Sequence, residues 1–313
     1  MTSLAMKKIL FATDFSACAA RAEEYALFLA RTCGAQLCIV HVLEFQPGMD
    51  PNFVVNSLYL EQLRKETDSR LQDLVAGAKR DGIVAEGQHV LGIPSQRVNE
   101  QARHADVDLI VVGTHGATGL EHILLGSTAE RVVKGAPCPV LTVRGPRERG
   151  RTERPPAPAE SPRITHLLVA LDFSDCSMDA FEYAVQMAAQ FGSKVTLLHV
   201  IEPVSYGLDF TLTHTADIHK RREQVEARLI ELAGLVSARG LVAEHRIRGG
   251  LPADGVLDTA TEQKCDLIVM GTHGRRGVSH LLSGSVAEAV LRRADCPVLT
   301  VKSPKFAPGH RRR

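Results

Sequence analysis

Short apolar runs alternate with longer amphipathic segments along the whole chain. In the first half the apolar runs, which are typical of buried parallel strands, cover residues 7–13, 36–43, 83–91, 108–112 and 139–143. The segments between them carry apolar residues at helical spacing and predict helices at residues 16–32 and 54–80, from residue 94, and at 127–134. Because strands that alternate with helices build parallel βαβ units, we predict a doubly wound α/β sheet.

The second half of the chain repeats the first. Asp14 corresponds to Asp172, and the same offset of 158 residues aligns further glycines, histidines and prolines of the two halves. Because the offset stays constant, neither half has a net insertion relative to the other. We therefore predict two copies of one domain, residues 1–144 and residues 164–303, each long enough for a core of its own.

The segment between the two copies differs from both of them in composition. Residues 145–163 are rich in proline and charged residues and have no apolar periodicity, which predicts an extended, solvated linker. The alternative is that the linker arginines contact an acidic partner. Residues 304–313 contain two prolines and end in three arginines, so we interpret them as a tail.

Composition is that of an ordinary soluble globular protein. Of the 313 residues 44% are hydrophobic and 23% are charged, and the net charge of +1 gives no indication of nucleic-acid or membrane binding. The seven cysteines are odd in number and scattered, with no Cys-x-x-Cys, which favours a reducing compartment. The first apolar run is too short for a signal peptide or a membrane span. We expect a cytoplasmic protein.

A glycine motif follows the fourth strand of each half. It reads Gly-Thr-His-Gly, nine residues, Gly-Ser, and it begins at Gly113 in the first half and at Gly271 in the second. Glycines allow backbone N–H groups to approach oxygen atoms closely, and the helix that follows presents unpaired donors at its amino terminus. Ser127 and Ser285 either cap that helix or donate a hydroxyl group to a phosphate. We favour an anion site; the alternative is that the glycines only make tight turns.

An aspartate ends the first strand of each half, at Asp14 and Asp172. In a doubly wound sheet, ligands bind at the carboxyl ends of strands, where the strand order reverses. A carboxylate there repels phosphate but accepts hydrogen bonds from the two hydroxyl groups of a ribose. The alternative is that the aspartates only start the next helix, a position that Asp and Ser both favour. The glycine motif makes the nucleotide interpretation preferable.

The aspartate after strand one, the glycine motif after strand four and the following Cys-Pro-Val-Leu resemble the universal stress protein family. The chain looks like a tandem two-domain member, and the resemblance covers nearly all of it apart from the linker and the tail. It implies a Rossmann-like fold with strand order 3-2-1-4-5, similar to adenine nucleotide alpha hydrolases. It also implies ATP binding, because the members that bind ATP carry this glycine pattern.

The resemblance assigns ATP contacts by motif position. The residues expected at the nucleoside are Asp14, Val42, Val112, Asp172, Val200 and Met270. The residues expected at the phosphates are Gly113, Gly116, Gly126, Ser127, Thr128, Gly271, Gly274, Gly284, Ser285 and Val286. The expected ligand is ATP, with or without Mg²⁺.

The two copies of the motif differ after their second glycine. The second copy has Arg275 and Arg276 where the first has Ala117 and Thr118. Two guanidinium groups add charge-assisted contacts to a polyphosphate, so we expect the second half to bind ATP more tightly. The alternative is that both arginines point into solvent.

Other candidate chemistry is sparse. His115 and His273, inside the motif, either contact phosphate or hydrogen-bond locally, and His41 and His199 at strand ends are interpreted as structural. No Cys or carboxylate completes a metal site around them, and no nucleophile elbow is present. No Gly-Lys-Ser/Thr follows the glycines, so fast hydrolysis of the Walker type is not expected. We predict no catalytic residue and no metal ligand.

Three functions are compatible with these features. The preferred one is a nucleotide-dependent stress or regulatory protein with slow or no ATP hydrolysis, at most a weak ATPase. An ATP-hydrolysing or adenylyl-transferring enzyme is less favoured, because such enzymes place a glycine loop after strand one, where this chain has Asp14-Phe15-Ser16. The third is a nucleotide-free scaffold.

The resemblance also suggests how the halves associate. The fifth strands, residues 139–143 and 297–301, are expected to pair within one chain, because an apolar edge should be covered. A homodimer of the whole chain and an unidentified regulatory protein partner remain open. We expect no nucleic-acid partner and no membrane partner.

Overall fold

The computed structural model describes residues 6–44, 54–115, 125–145, 161–202, 213–272 and 285–302. The chain divides between Pro162 and Arg163 into two compact units. Within the described residues, each unit contains five strands with α-helices between them. The two units are described separately.

The first unit alternates strands and helices. Its elements are β1 (Lys8–Thr13), α1 (Ala17–Cys33), β2 (Gln36–Leu43), α2 (Val54–Arg80), β3 (Ala85–Leu91), α3 (Pro94–His104), β4 (Leu109–Gly113), α4 (Ser127–Gly135) and β5 (Val140–Val143). The strands lie in the order β3-β2-β1-β4-β5, and every neighbouring pair is parallel. The predicted doubly wound α/β fold with strand order 3-2-1-4-5 is confirmed.

The second unit repeats this arrangement. Its elements are β6 (His166–Ala170), α5 (Asp175–Phe191), β7 (Lys194–Ile201), α6 (Thr213–Ser237), β8 (Ala243–Gly249), α7 (Pro252–Glu262), β9 (Leu267–Gly271), α8 (Ser285–Arg293) and β10 (Val298–Val301). The parallel order is β8-β7-β6-β9-β10, which is the first unit's order carried over by the repeat.

The central strand of the first unit is among its most deeply buried parts. Ile9, Leu10 and Phe11 of β1 are fully buried, because β1 pairs with β2 on one side and β4 on the other. In β6 the residues Leu167 and Leu168 are equally buried. A parallel strand with helices on both faces must be apolar along its length, which explains the continuous apolar runs of the sequence.

The third strand begins later than predicted, at Ala85 rather than at residue 83. Gly82 takes a φ of +77° and turns the chain, and the Ile83 N–H then donates to the Ala78 carbonyl at the end of α2. Ile83 is 5% exposed whereas Val84 is 70% exposed. In the sequence, an apolar residue that packs under a helix end therefore has the same appearance as the first residue of an apolar strand.

The two longest helices, α2 and α6, contain 27 and 25 residues. Both are amphipathic and carry charged residues along their length. No helix in the described ranges is long and apolar enough to cross a membrane. Their polar faces matter below, because both helices contribute arginines near the ends of the strands.

Candidate functional site

β1 lies where the chain changes direction across the first sheet. Ala12 of β1 pairs with Val40 of β2 on one side and with Val112 of β4 on the other. Asp14 after β1 and Gly113 at the end of β4 therefore lie at the same carboxyl edge of the sheet. This is the switch point at which open α/β sheets bind ligands.

The second unit has the same switch point. Ala170 of β6 pairs with Leu198 of β7 and with Met270 of β9. Asp172 after β6 and Gly271 at the end of β9 are thus brought to one edge, as the sequence predicted for each half.

Asp14 supports the turn between β1 and α1. Its Oδ1 accepts a hydrogen bond from the Ser16 N–H at 3.0 Å, and Phe15 between them is left-handed, with a φ of 61°. Ser16 is the helix cap that the sequence predicted, since its Oγ accepts from the Ala19 N–H at 3.1 Å. A left-handed residue other than glycine is uncommon, so this turn is a constrained feature at the switch point.

Asp172 makes the equivalent turn. Its Oδ1 accepts from the Ser174 N–H at 3.0 Å and from the Ser174 Oγ at 2.6 Å, and Phe173 has a φ of 62°. Both aspartates thus have the structural role at a helix start that the sequence left open. These turn bonds are to Oδ1, and a carboxylate has several acceptor positions, so this role is compatible with a ribose contact as well.

Two glycines of the motif are required by close packing. A Cβ added to Gly113 would lie 3.1 Å from the Cys18 carbonyl carbon and 3.1 Å from its Sγ. A Cβ added to Gly271 would lie 2.9 Å from the Cys176 carbonyl carbon. Each glycine lets the end of a strand approach the first turn of a helix, α1 in the first unit and α5 in the second. This requirement exists whether or not an anion binds nearby.

α4 begins without a side-chain cap. Gly126 is its N-cap residue, and the Gly126 N–H donates to the Thr114 carbonyl at 2.7 Å, which ties the helix start to the end of β4. The first hydrogen bond of the helix runs from the Glu130 N–H to the Gly126 carbonyl at 3.0 Å. The N–H groups of Ser127 and Thr128 precede that bond, and both residues are exposed. Ser127 lies inside the helix and is not its cap, so the helix start offers backbone donors to an anion.

The residues expected at the adenine lie near the ends of their strands. Val112 and Met270 are 7% and 5% exposed, and Val42 and Val200 are half-buried. The Val200 side chain faces α7, because a Cβ added to Gly255 of that helix would lie 2.8 Å from the Val200 Cγ2.

Part of the predicted phosphate site lies outside the described residues. The residues concerned are Gly116, Gly274, Arg275, Arg276 and Gly284, and their roles stay predictions. Ser285 is the first residue of α8, as predicted, and Val286 follows it and is half-buried.

The sequence did not predict a stack of side chains that follows Asp14. The Phe15 ring lies 4.6 Å from the His41 ring, measured between centroids. The Arg70 guanidinium of α2 lies 4.4 Å from the Phe15 centroid, and its Nη2 donates to the Phe15 carbonyl at 3.0 Å. A guanidinium on an aromatic face is attracted by the quadrupole of the ring.

The same stack occurs in the second unit. The Phe173 and His199 rings are stacked at 4.9 Å, and the Arg228 guanidinium lies 4.6 Å from the Phe173 centroid. All three residues are related to those of the first stack by the offset of 158. That repetition is the signal by which the stacks could have been found from the sequence.

The strand-end histidines are structural, as predicted. The His41 Nδ1 lies 2.8 Å from the Thr13 carbonyl oxygen, and the His199 Nδ1 lies 2.7 Å from that of Leu171. Because a carbonyl only accepts, each Nδ1 carries a proton. Burial lowers the pKa of His41, and the neighbouring His89 acts in the same direction, so its ring is neutral at pH 7.

Metal-binding groups are not assembled in the described part of the chain. No three His, Cys, Asp or Glu side chains there are arranged to hold a metal ion. For His115 the sequence was compatible with either a phosphate contact or a local hydrogen bond. In the structure its Nδ1 lies 2.8 Å from the Thr114 Oγ1.

The sequence model of the universal stress protein family matches residues 6–144 and again residues 163–302. The chain belongs to the universal stress protein family. Because the two matches are copies of the internal repeat, the chain is a tandem member, as the sequence motifs indicated.

Relatives of this universal stress protein support the assignment. One from Methanocaldococcus jannaschii is 36% identical over 143 residues, which are 45% of this chain and 84% of the relative. A universal stress protein from Mycolicibacterium smegmatis is 29% identical over 197 residues, 62% of this chain and 61% of that protein. A solved universal stress protein structure from Archaeoglobus fulgidus has a TM-score of 0.70, with 21% identity, and covers 96% of this chain and 99% of that one. This last similarity concerns the fold.

Proposed function

We propose that this universal stress protein binds ATP at the carboxyl edge of each sheet and acts as a nucleotide-dependent regulatory protein. The observation that carries the proposal is the start of α4, which has no side-chain cap, begins with the exposed residues Ser127 and Thr128, and is tied to the end of β4 through Gly126. Asp14 lies at the same edge. Donors for phosphate and an acceptor for ribose thus occur together at a switch point.

The phosphates are assigned to the helix start. The N–H groups of Ser127 and Thr128, together with the positive end of the helix dipole, favour a negatively charged group. The Ser127 hydroxyl, which does not cap the helix, can add a hydrogen bond. Ser285 and Val286 hold the equivalent positions in the second unit.

The nucleoside is assigned to the other side of the switch point. The carboxylates of Asp14 and Asp172 accept hydrogen bonds from the ribose hydroxyl groups while their Oδ1 atoms support the turns. Apolar residues at the strand ends, Val42 and Val112 in the first unit, supply a surface for the adenine. Such a division of polar and apolar contacts is usual for small-ligand sites.

Turnover is proposed to be slow or absent. A general base must lie within hydrogen-bond reach of an attacking water, and no described side chain is assigned that role. Mg²⁺ bound to ATP keeps several water ligands and takes only one or two carboxylates from the protein. Among the residues assigned to this site in the first unit, Asp14 carries such a carboxylate. The protein is therefore proposed to be at most a weak ATPase.

A nucleotide-free scaffold is the second candidate. It is favoured by one observation, the close packing that requires glycine at 113 and 271 without any ligand. Close packing explains why the first glycine of the motif is needed. It does not explain why α4 starts without a side-chain cap, whereas a bound phosphate does.

The deciding experiment identifies small molecules carried by the purified full-length protein. The protein is denatured, and the released compounds are compared with adenine nucleotide standards by chromatography and quantified per chain. Two ATP or ADP per chain support both sites. One per chain supports the proposed asymmetry, with Arg275 and Arg276 strengthening the second site. None, together with no binding of added millimolar Mg-ATP, would establish the scaffold.

Association and location belong to the same proposal. The fifth strands are proposed to pair within the chain. Association of two chains into a homodimer and binding of a regulatory protein are the further associations proposed. A cytoplasmic location follows from the reduced state expected for the scattered cysteines. Fractionation of cells and the mass of the purified protein in solution test these points.

A further inference from the structure

We propose that the second unit contains an additional site for small oxyanions, separate from the nucleotide site. The site is a pocket of about 350 Å³ between the start of α5, β7 and α6. We call it the basic pocket; it is lined by Phe173, His199, Arg221, Gln224, Val225 and Arg228. Its volume suits a metabolite rather than a macromolecule.

One wall of the basic pocket is fixed by ring stacking. The Phe173 and His199 rings lie 4.9 Å apart with an interplanar angle of 22°. His199 is 5% exposed, and its Nδ1 bonds the Leu171 carbonyl at 2.7 Å, which sets the orientation of the ring. The pocket therefore has a flat wall whose geometry is determined before any ligand arrives.

Two guanidinium groups supply the charge. Arg221 and Arg228 are seven residues apart on α6, so they lie on one face about 10 Å apart along the axis, with Gln224 between them. Among the described residues, neither arginine makes a hydrogen bond or an ion pair, and the Arg228 guanidinium lies over the Phe173 ring. Guanidinium donors match carboxylate and phosphate oxygens in geometry as well as in charge.

The first unit lacks this charge. At the positions of Arg221 and Gln224 it has Leu63 and Glu66, so Arg70 is accompanied on α2 by a carboxylate four residues earlier and not by a second arginine. Arg70 also donates to the Phe15 carbonyl at 3.0 Å, which uses part of its donor capacity. The duplication thus provides a control, a stack of the same residue types whose Phe15 and His41 rings are tilted by 41° and which lacks the paired arginines.

The basic pocket is distinct from the proposed nucleotide site. Neighbouring residues of a strand point to opposite faces of the sheet. His199 lines the pocket beside α6, whereas the next residue, Val200, faces Gly255 of α7. The residue assigned to adenine therefore lies on the opposite face of β7 from the pocket.

The test follows the His199 imidazole signal by NMR in the full-length protein during titration with inorganic pyrophosphate and, separately, with succinate. The signal is assigned with His199→Gln. We expect it to shift with at least one probe below about 10 mM, an affinity typical of a small anion held by two arginines. The probe that acts identifies the ligand as a phosphate or a carboxylate compound.

Three variants locate the response. The double variant Arg221→Gln/Arg228→Gln should weaken binding by about tenfold or more, since it removes both charges from exposed helix positions without loss of helix propensity. Arg70→Gln should leave the titration unchanged. Gly284→Glu, which places a negative charge at the proposed second nucleotide site, should also leave it unchanged.

Two results would overturn the proposal. The first is the absence of a shift with both probes in the wild-type protein. The second is a shift that survives the double arginine change but disappears in Gly284→Glu, which would place the anion in the nucleotide site. Because ATP binding is measured independently of this signal, failure of the basic pocket and failure of the nucleotide proposal are distinguishable.

Discussion

Replacing Gly126 by glutamate is expected to weaken ATP binding in the first unit by about 30-fold. The backbone at Gly126 has a φ of −59° and a ψ of 139°, which any residue can adopt. A carboxylate there would lie about 8 Å from a phosphate at the helix start. At an effective dielectric constant of about 20, one pair of like charges at that distance costs about 2 kcal/mol.

Glutamine at the same position is the matched control. An added Cβ would lie 3.0 Å from the Thr114 carbonyl oxygen in either variant, so both carry the same close contact, and glutamine adds no charge. Gly126→Gln should therefore change the ATP affinity by no more than about threefold. Glutamate differs from it only in charge, and that charge favours the positive end of α4 by up to about 1 kcal/mol when no ligand is bound.

The assay is calorimetric titration with Mg-ATP, combined with urea denaturation of the ligand-free variants. Relative to Gly126→Gln, we expect Gly126→Glu to bind ATP more weakly and to have an unchanged or higher free energy of unfolding. Equal losses of affinity in Gly126→Glu and Gly126→Gln would refute this expectation, because the effect would then be steric. Unchanged affinity in both would place the phosphates elsewhere.

Two further predictions concern stability. Gly271→Ala should lower the free energy of unfolding by about 1–3 kcal/mol, because the new methyl group would lie 2.9 Å from the Cys176 carbonyl carbon. The control is Gly234→Ala on α6, which has open space around it and should raise the free energy of unfolding by up to about 1 kcal/mol. Urea denaturation of both variants measures the difference. For His41, burial lowers the pKa of the folded state below 6.5, so the unfolded chain binds more protons as the pH falls. The free energy of unfolding should therefore decrease below about pH 6.5. In the variant His41→Gln, the urea denaturation midpoint should change less between about pH 7.5 and about pH 5.5 than it does in the wild-type protein. An equally large change in both proteins would contradict this.

The fold was predictable because the strands are apolar throughout and the pattern occurs twice. β2 was predicted at its observed bounds, and errors are confined to ends such as Ile83, which packs at a helix end. Ser16 was predictable as a cap because its role depends on residues next to it in the chain.

Two features of the site could not be read from neighbouring residues. Ser127 was expected either to cap α4 or to donate to a phosphate, yet Gly126 holds the N-cap position, and its N–H donates to the carbonyl of Thr114, twelve residues earlier in the chain. The stack of Arg70 on Phe15 joins residues that are far apart in the chain, with the arginine on an exposed helix face. Contacts of this kind depend on how α2 lies against the sheet, which periodicity does not specify.

Comparing the two units distinguishes features that the fold requires from positions at which the two units differ. The Asp turn, the left-handed phenylalanine and the close-packed glycine occur in both units with nearly the same geometry. Corresponding positions on α2 and α6 differ instead, since Leu63 of the first unit is replaced in the second by Arg221, which lines the basic pocket. Since exposed helix positions cost little stability to change, charge there can diverge while the scaffold is kept. On this reasoning the two units share one proposed ligand, ATP, and differ in what binds beside it.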